Sequence, residues 1–342
     1  AAAAAAAGAA SGTKAAAAGF GDEPKTKKQG VKPAGEKAAN PEKRRTITMP
    51  FRSAPCVEQH GVLGGRVFLI DVEIKGQYAG TWVIDTVSAT SMVRSEICEQ
   101  FRHKDYGVPH WAVGQEGSEY TTRLVGFPNA WLGSIHLDEL RVTSSVGAGA
   151  ALPPGCSGTL GRDFFSLFDW DFDFTKMMVT VSVASKGGPL PFDVVGMRPL
   201  PLSIRVIPLV GQSVPTCQVD VRLPGAAECT SCEAVLDLMM PCVVCNPAMA
   251  RAVGALPKGR AVAEVVCGGG GDREIFPLRE LTFGLGSGGP VSRTTSAALG
   301  ESEVFAACGF DSETPAVIVG ADLIGQGRMV MSLRKKCLWL SV

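Results

Sequence analysis

Two aspartates, Asp85 and Asp237, are the residues of this sequence best placed to do chemistry together. Each directly follows an apolar run that reads as a buried strand, Thr81–Ile84 before Asp85 and Glu233–Leu236 before Asp237. A residue at this point lies on the loop after the strand, where reactive side chains are common. Two carboxyl groups held close together cannot both ionise, so such a pair would share a proton and could supply an acid and a base.

Two copies of one strand pattern must position these aspartates. Ile70–Gly76 and Val219–Gly225 both alternate apolar and polar residues and end in a turn glycine, which is typical of a half-buried strand entering a hairpin. Further along, Thr159–Phe164 and Ile318–Leu323 match each other: each has an aliphatic residue directly before a glycine and an aspartate two residues after it. Because the repeat is domain-sized, the sequence predicts two lobes rather than a solenoid.

Length and composition set the outer bounds of the interpretation. The chain has 342 residues, of which 46% are hydrophobic and 19% charged, and its formal net charge is zero. This is ordinary globular composition and gives no general attraction to nucleic acid or to an anionic membrane. No apolar run approaches the roughly 20 residues of a membrane-spanning helix. We expect residues 1–55 to be a tail, 56–186 the first lobe, 187–201 a linker and 202–342 the second lobe.

The predicted tail differs in composition from the rest of the chain. Ala1–Gly19 is alanine-rich without an acidic residue, and Lys25–Arg45 carries eight basic residues against two acidic ones. This suits a transit-peptide remnant or a disordered basic arm. The expected location is a plastid (chloroplast), with the mitochondrion as the alternative. A charge run is usually only solvated, so a specific nucleic-acid partner is not expected.

With these motifs in place, the sequence resembles the aspartic peptidases, and the retropepsin-like branch more than the longer pepsin-like branch. That family has Asp-Thr-Gly-Ala/Ser after an apolar strand in each lobe, and an apolar-apolar-Gly motif on a strand that crosses beneath the loop. Ile84–Thr90 and Leu236–Met240 stand at the two loops, and Leu160–Phe165 and Val319–Ile324 at the two crossings. The resemblance covers residues 60–342. It implies a mostly β fold of two fused β-barrel lobes with short helices.

The resemblance also implies the roles of three site residues. Asp85 and Asp237 would form the catalytic pair, in which one carboxylate activates a water and the other, protonated, polarises the peptide carbonyl. The Thr86 hydroxyl would bond across to the partner loop and hold the pair in place. No cofactor is implied.

Three residues depart from the family pattern in these loops. Val87 and Met239 replace the two glycines, and Leu238 replaces the second threonine. We expect side chains there to be costly, because a tight turn with unusual dihedral angles suits glycine. The leading hypothesis is therefore a non-catalytic relative that acts as an interaction or scaffold subunit. It would bind a protein or peptide, with a large chloroplast or thylakoid assembly as one candidate. The rival is an active aspartic endopeptidase using Asp85 and Asp237.

Two glycine-containing segments read as the tips of hairpins over the cleft. In the first lobe the turn contains Gly114 and Gly117, and in the second it contains Gly268 and Gly269. The second run lacks the Lys-Ser/Thr that would complete a phosphate-binding loop.

Four cysteines leave a third possibility open. Cys229 with Cys232, and Cys242 with Cys245, form two C-x-x-C pairs that could hold zinc as a binding module. However, a strand turns successive side chains to opposite faces, which makes it awkward to aim both thiols of the second pair at one ion. A disulfide is a further alternative, and buried free thiols are the favoured interpretation.

Overall fold

The computed structural model describes residues 46–55, 66–113, 119–145, 155–183, 188–206, 213–255, 262–265, 272–286, 291–300 and 303–342. Within these ranges the protein is mostly β, and its helices are six residues long or shorter.

The first half of the described chain contains eleven strands and two helices. In order they are β1 (Thr46–Pro50), β2 (Arg52–Pro55), β3 (Arg66–Ile74), β4 (Gln77–Ile84), β5 (Met92–Arg94), α1 (Ser95–Gln100), β6 (Lys104–Val113), β7 (Glu119–Leu132), β8 (Ile135–Ser145), β9 (Cys156–Leu160), α2 (Arg162–Phe165), β10 (Phe168–Asp173) and β11 (Met178–Val183).

The second half of the described chain repeats the series. Its elements are β12 (Arg198–Pro201), β13 (Ser203–Val206), β14 (Ser213–Arg222), β15 (Thr230–Leu236), β16 (Val243–Cys245), α3 (Pro247–Ala252), β17 (Val262–Val265), β18 (Asp272–Leu285), β19 (Val291–Leu299), α4 (Glu303–Ala307), β20 (Val317–Val319), α5 (Ala321–Ile324), β21 (Arg328–Ser332) and β22 (Cys337–Leu340).

Each lobe is a closed six-stranded β-barrel. In the first lobe the strand order is β2-β3-β4-β9-β5-β8-β7-β6, and β3 also pairs with β7, which closes the six strands between them. In the second lobe the order is β13-β14-β15-β20-β16-β19-β18-β17, closed by the pairing of β14 with β18. The two orders match strand for strand. This confirms the predicted mostly β fold and its internal duplication.

Side-chain alternation explains why these segments form barrel strands. In β3, Ile70, Val72 and Ile74 are buried, while Asp71 and Glu73 between them are exposed. One face of the strand therefore packs on the core and the other is solvated.

A third sheet joins the two lobes. Its order is β1-β11-β10-β21-β22-β12, and the junction is the antiparallel pairing of β10 from the first half with β21 from the second. On the buried side of β10, the rings of Trp170 and Phe172 stack with centroids 5.7 Å apart. On the other side, Arg328 of β21 donates to both carboxylate oxygens of Asp171, at 2.8 and 2.7 Å. The lobes thus share backbone and ionic contacts.

Two predicted boundaries differ from the structure. Thr46–Pro50 and Arg52–Pro55, assigned to the tail, are strands, and Arg198–Pro201, assigned to the linker, is also a strand. The strands at residues 46–50 and 198–201 are the two edges of the shared sheet, where they pair with β11 and β22. Edge strands tolerate proline, so Pro199 and Pro201 are compatible with pairing to β22. The remaining domain limits stay predictions.

Candidate functional site

The two aspartates occupy equivalent positions, one at the end of β4 and one at the end of β15. The Asp85 backbone N–H donates to the Leu160 carbonyl oxygen at 2.9 Å, and the Asp237 N–H donates to the Val319 carbonyl oxygen at 3.0 Å. Each bond continues the parallel pairing of the aspartate strand with the strand of the crossing motif. Both side chains are therefore fixed at the same point of their own barrels.

The crossing glycines permit a close backbone approach under each loop. A Cβ added to Gly161 would lie 2.6 Å from the Thr90 carbonyl carbon, and one added to Gly320 would lie 2.1 Å from the Cys242 oxygen. Such distances leave no room for a side chain, and the obstacle in both cases is main chain. The predicted crossing motifs thus need glycine for space, since both glycines have ordinary negative φ angles.

Each carboxylate is wrapped by its own loop. The Oδ1 of Asp85 accepts hydrogen bonds from the Val87 and Ser88 backbone N–H groups, both at 2.9 Å. The Oδ1 of Asp237 accepts from the Met239 N–H at 2.9 Å and from the Met240 N–H at 3.2 Å. These bonds to the amides two and three residues ahead close a tight turn around the carboxylate in both lobes.

The predicted backbone cost of side chains at Val87 and Met239 is wrong. Neither Val87 nor Met239 is among the residues with positive φ in the described chain. Because these turns close through amide-to-carboxylate bonds with ordinary φ angles, a side chain at either position causes no dihedral strain.

The Thr86 hydroxyl bridges the two loops. It donates to the Leu236 carbonyl oxygen at 2.8 Å and accepts the Leu238 backbone N–H at 3.0 Å. Both the Thr86 and the Leu238 side chains are fully buried. One threonine therefore ties the first loop to the residues on either side of Asp237, although Leu238 contributes no hydroxyl in return. The loops are held together and are not pushed apart.

Burial and mutual repulsion control the charge of the aspartate pair. Desolvation, followed by the negative charge of Asp85, raises the pKa of Asp237 to about 7. Desolvation also raises the pKa of Asp85, while hydrogen bonds from Ser88 and Val87 and the positive charge of Arg162 oppose that rise. The Oδ2 atom of Asp85 is buried and has no hydrogen-bond partner among the described residues. This arrangement can hold one proton between two carboxylates near neutral pH.

The side chains of Val87 and Met239 each pack on the lobe opposite to their own. Val87 of the first lobe packs against a second-lobe patch that includes Val214, Val235 and Val244. Met239 of the second lobe is buried in a first-lobe patch formed by Val67, Leu69, Val83 and Cys156. The residue two positions after each aspartate therefore covers apolar surface of the opposite lobe, immediately beside the pair.

The two predicted hairpin tips lie outside the described residues. Gly114 and Gly117 fall between β6 and β7, which pair antiparallel up to Val113 and Glu119. Gly268 and Gly269 fall between β17 and β18, which pair antiparallel as well.

The four cysteines of the two C-x-x-C pairs do not converge. Cys229 is exposed, Cys232 and Cys245 lie in the main core, and Cys242 lies in the second-lobe patch. Within the described residues, no group of histidine, cysteine and acidic side chains could hold a metal ion. The zinc alternative is wrong because Cys242 and Cys245 lie in different apolar clusters, so the thiols do not meet at one ion. No disulfide joins these four cysteines in the described part of the chain.

Three residues near the pair escaped the prediction from sequence. Ser88 donates to Asp85, and Arg162 bonds through Nη1 to the Ser213 hydroxyl at 2.9 Å across the lobes. Ser88 fits the serine of the family's loop motif and could have been recognised there. Arg162 and Ser213 carry no local signal, because their contact joins residues far apart in sequence.

Comparisons with known proteins found a similar solved structure but no similar sequence. No protein-family model matches the chain, and no curated protein sequence does. A solved aspartic proteinase from Irpex lacteus aligns with a TM-score of 0.47 at 12% identity, over 87% of this chain and 97% of that one. The fold assignment rests on the strand order and pairing described above. In the described part of the chain, no helix has the length and apolarity to cross a membrane.

Proposed function

We propose that this chain is a non-catalytic, aspartic-peptidase-like protein that binds a protein or peptide partner as an interaction subunit. The observation that carries the proposal is the packing of Val87 and Met239, each on the lobe opposite to its own. Both side chains pack on the lobe opposite to their own loop, at positions where the aspartic-peptidase motif has glycine.

Access to the carboxylates supports the same proposal. Hydrolysis requires both carboxyl groups to come within hydrogen-bonding distance of the peptide bond and its attacking water. Asp85 is only 1% exposed and Asp237 only 4% exposed. Carboxylates buried to this extent can meet a peptide bond only after the atoms that cover them move aside.

An edge strand of the second lobe offers a binding surface. β13 ends the barrel sheet and pairs with β14 alone among the described strands. Its Ile204 and Val206 side chains are 37% and 61% exposed. Natural edge strands usually carry charges or prolines that prevent pairing, so exposed aliphatic residues here favour the addition of a partner strand.

The cellular setting is part of the proposal and rests on composition alone. The basic, acid-poor segment Lys25–Arg45 favours a plastid, with the mitochondrion as the alternative. The partner would then belong to an organellar assembly, for which a large chloroplast or thylakoid complex is the candidate.

A second candidate is an aspartic endopeptidase using Asp85 and Asp237. The assembled pair favours it, since Thr86 holds the loops together and the pKa of Asp237 is raised to about 7. A shared proton near neutral pH is the state that this chemistry requires.

Peptide-library cleavage between pH 4 and 8 separates the two candidates. We expect no cleavage by the natural chain, and Asp85-dependent cleavage after Val87→Gly, Leu238→Thr and Met239→Gly are combined, since these changes rebuild the family's loops. Cleavage by the natural chain that Asp85→Asn abolishes would establish the endopeptidase.

Binding is tested separately with immobilised extended peptides. Here we expect the charged pair Ile204→Lys and Val206→Lys to abolish binding. Tyr78→Lys, at an exposed position of the first lobe, serves as the control. Equal binding by both variants would remove β13 from the proposal.

A further inference from the structure

Arg162 connects the Asp85 loop to the opposite lobe. It is the first residue of α2, directly after the crossing glycine, and its backbone N–H donates to the Ser88 carbonyl oxygen at 2.9 Å. Its side chain extends to the start of β14, where Nη1 donates to the Ser213 hydroxyl at 2.9 Å. A cationic side chain therefore lies between the lobes on the Asp85 side of the pair.

The charge of Arg162 is not neutralised by a bonded carboxylate. Arg162 forms no ion pair at salt-bridge distance within the described residues, and its Nε atom is buried without a hydrogen-bond partner there. The neighbouring Asp163 is committed elsewhere, since it accepts hydrogen bonds from the Ser91 backbone N–H and hydroxyl at 2.9 and 2.7 Å. The positive charge of Arg162 is therefore free to stabilise the ionised form of Asp85. Burial lowers the pKa of the Arg162 guanidinium itself.

The equivalent position in the second lobe has no charge. Ala321 follows the second crossing glycine and is buried, and its N–H donates to the Met240 carbonyl oxygen at 2.8 Å. That bond is the counterpart of the bond from Arg162 to Ser88. The residue that follows the crossing glycine and bonds to the aspartate loop is thus a cation, Arg162, on the Asp85 side and an uncharged alanine on the Asp237 side. Two similar loops therefore hold their carboxylates in unequal electrostatic surroundings.

We propose that Arg162 is a positioning residue that makes the carboxylate pair unequal, so that Asp85 keeps the negative charge and Asp237 carries the proton. A cation stabilises the ionised form of the nearer carboxylate, and that anion in turn stabilises the protonated form of its partner. The assignment does not depend on whether the pair cleaves peptides, so it goes beyond the proposed function. If the pair is catalytic, Asp85 is the base and Asp237 the acid.

Carboxyl carbon NMR of the full chain labelled at aspartate tests this assignment. The signals of the pair are identified by their loss in Asp85→Asn and Asp237→Asn. Arg162→Met should raise the titration midpoint of Asp85 by about one pH unit or more, the effect expected when a neighbouring cation is removed. Arg162→Lys, which keeps the charge, should restore the midpoint.

Ser213→Ala is the matched control for a purely structural role. It removes the same hydrogen bond between the lobes and leaves the cation in place, so the midpoints should not move. Unchanged midpoints in folded Arg162→Met, or equal shifts in Arg162→Met and Ser213→Ala, would overturn the proposal.

The aspartate variants provide a test that does not require Arg162 to be changed. Asp85→Asn should lower the midpoint of Asp237, because the repelling anion is gone. Asp237→Asn should leave the Asp85 midpoint below that of Asp237 in the natural chain. The reverse pattern, with Asp85 titrating at the higher pH, would show that the proton lies on Asp85 and would contradict the assignment.

Discussion

The Thr86 hydroxyl accepts the backbone N–H of Leu238, at the matching position of the other loop, over 3.0 Å. The same hydroxyl donates to the Leu236 carbonyl oxygen at 2.8 Å, so one side chain satisfies two buried main-chain groups of the opposite lobe. In a symmetric pair a second hydroxyl would do the same in return. Here Leu238 stands at that position, and its side chain packs in the hydrophobic core instead.

Thr86→Val should destabilise the protein because it leaves the Leu238 N–H and the Leu236 oxygen buried without partners. Each unsatisfied group costs about 1–3 kcal/mol in the free energy of unfolding. Urea unfolding followed by circular dichroism measures the loss. Thr180→Val is the control, since Thr180 shares a 2.9 Å hydroxyl contact with Thr48 at an exposed site. Equal losses for the two variants would contradict the bridging role of Thr86.

The raised pKa of Asp237 predicts how stability depends on pH. Asp237 has a pKa of about 7 when folded, against about 3.9 in an unfolded chain. Between these two values the folded state binds more protons, so the free energy of unfolding should fall as pH rises from about 4 to about 7 and level off above that. Asp237→Asn mimics the protonated side chain and should flatten this slope, as measured by urea unfolding across the range.

Asp322 provides the comparison for the pH prediction. Burial raises the pKa of Asp322 to about 6. Asp322→Asn should therefore remove only the part of the fall in the free energy of unfolding that ends near pH 6. An unaltered slope between pH 6 and 7 in Asp237→Asn would rule out Asp237 as its source.

Gly320→Ala should prevent folding or cost several kcal/mol. The added Cβ would meet the Cys242 oxygen at 2.1 Å, and main-chain atoms cannot move aside as the end of a flexible side chain can. Gly225→Ala is the control: its φ of +79° is unfavourable for alanine, but nothing lies within 4 Å of the new atom. We expect about 1 kcal/mol there. Thermal unfolding of both variants would compare them, and similar melting temperatures would refute the close approach.

A double-mutant cycle tests the packing of Met239 on the opposite lobe. Met239→Ala and Leu69→Ala should show a coupling energy of about 0.5–3 kcal/mol, because the two side chains belong to one patch although they come from different lobes. Met239→Ala combined with Val244→Ala should be additive within about 0.5 kcal/mol, since Val244 belongs to the second-lobe patch. Additivity in the first cycle would place Met239 outside the first-lobe patch.

Local patterns were sufficient to predict the duplication and the β fold. Gly161 and Gly320, with the aspartate strands before them, marked the framework because packing a strand beneath a loop restricts the sequence at a few adjacent positions.

Contacts between distant residues were not predictable from the same patterns. Val87 and Met239 were predicted to be costly in their loops, because a single sequence does not show that each packs on the other lobe. The contact of Arg162 with Ser213 is hidden for the same reason. The edge strand Arg198–Pro201 was missed because its two prolines are unusual in a strand, and because its partner, β22, is distant in the sequence.

The shared sheet has a consequence for how the chain acquires its structure. β10 lies beside β21, so the first half cannot complete its sheet until Arg328–Ser332 has been synthesised. Until then β10 exposes an unpaired backbone edge next to a cluster of aromatic rings, which is a site for aggregation. A ribosome-bound chain that ends before β21 should therefore need chaperone protection, even though every strand of its first barrel is already present.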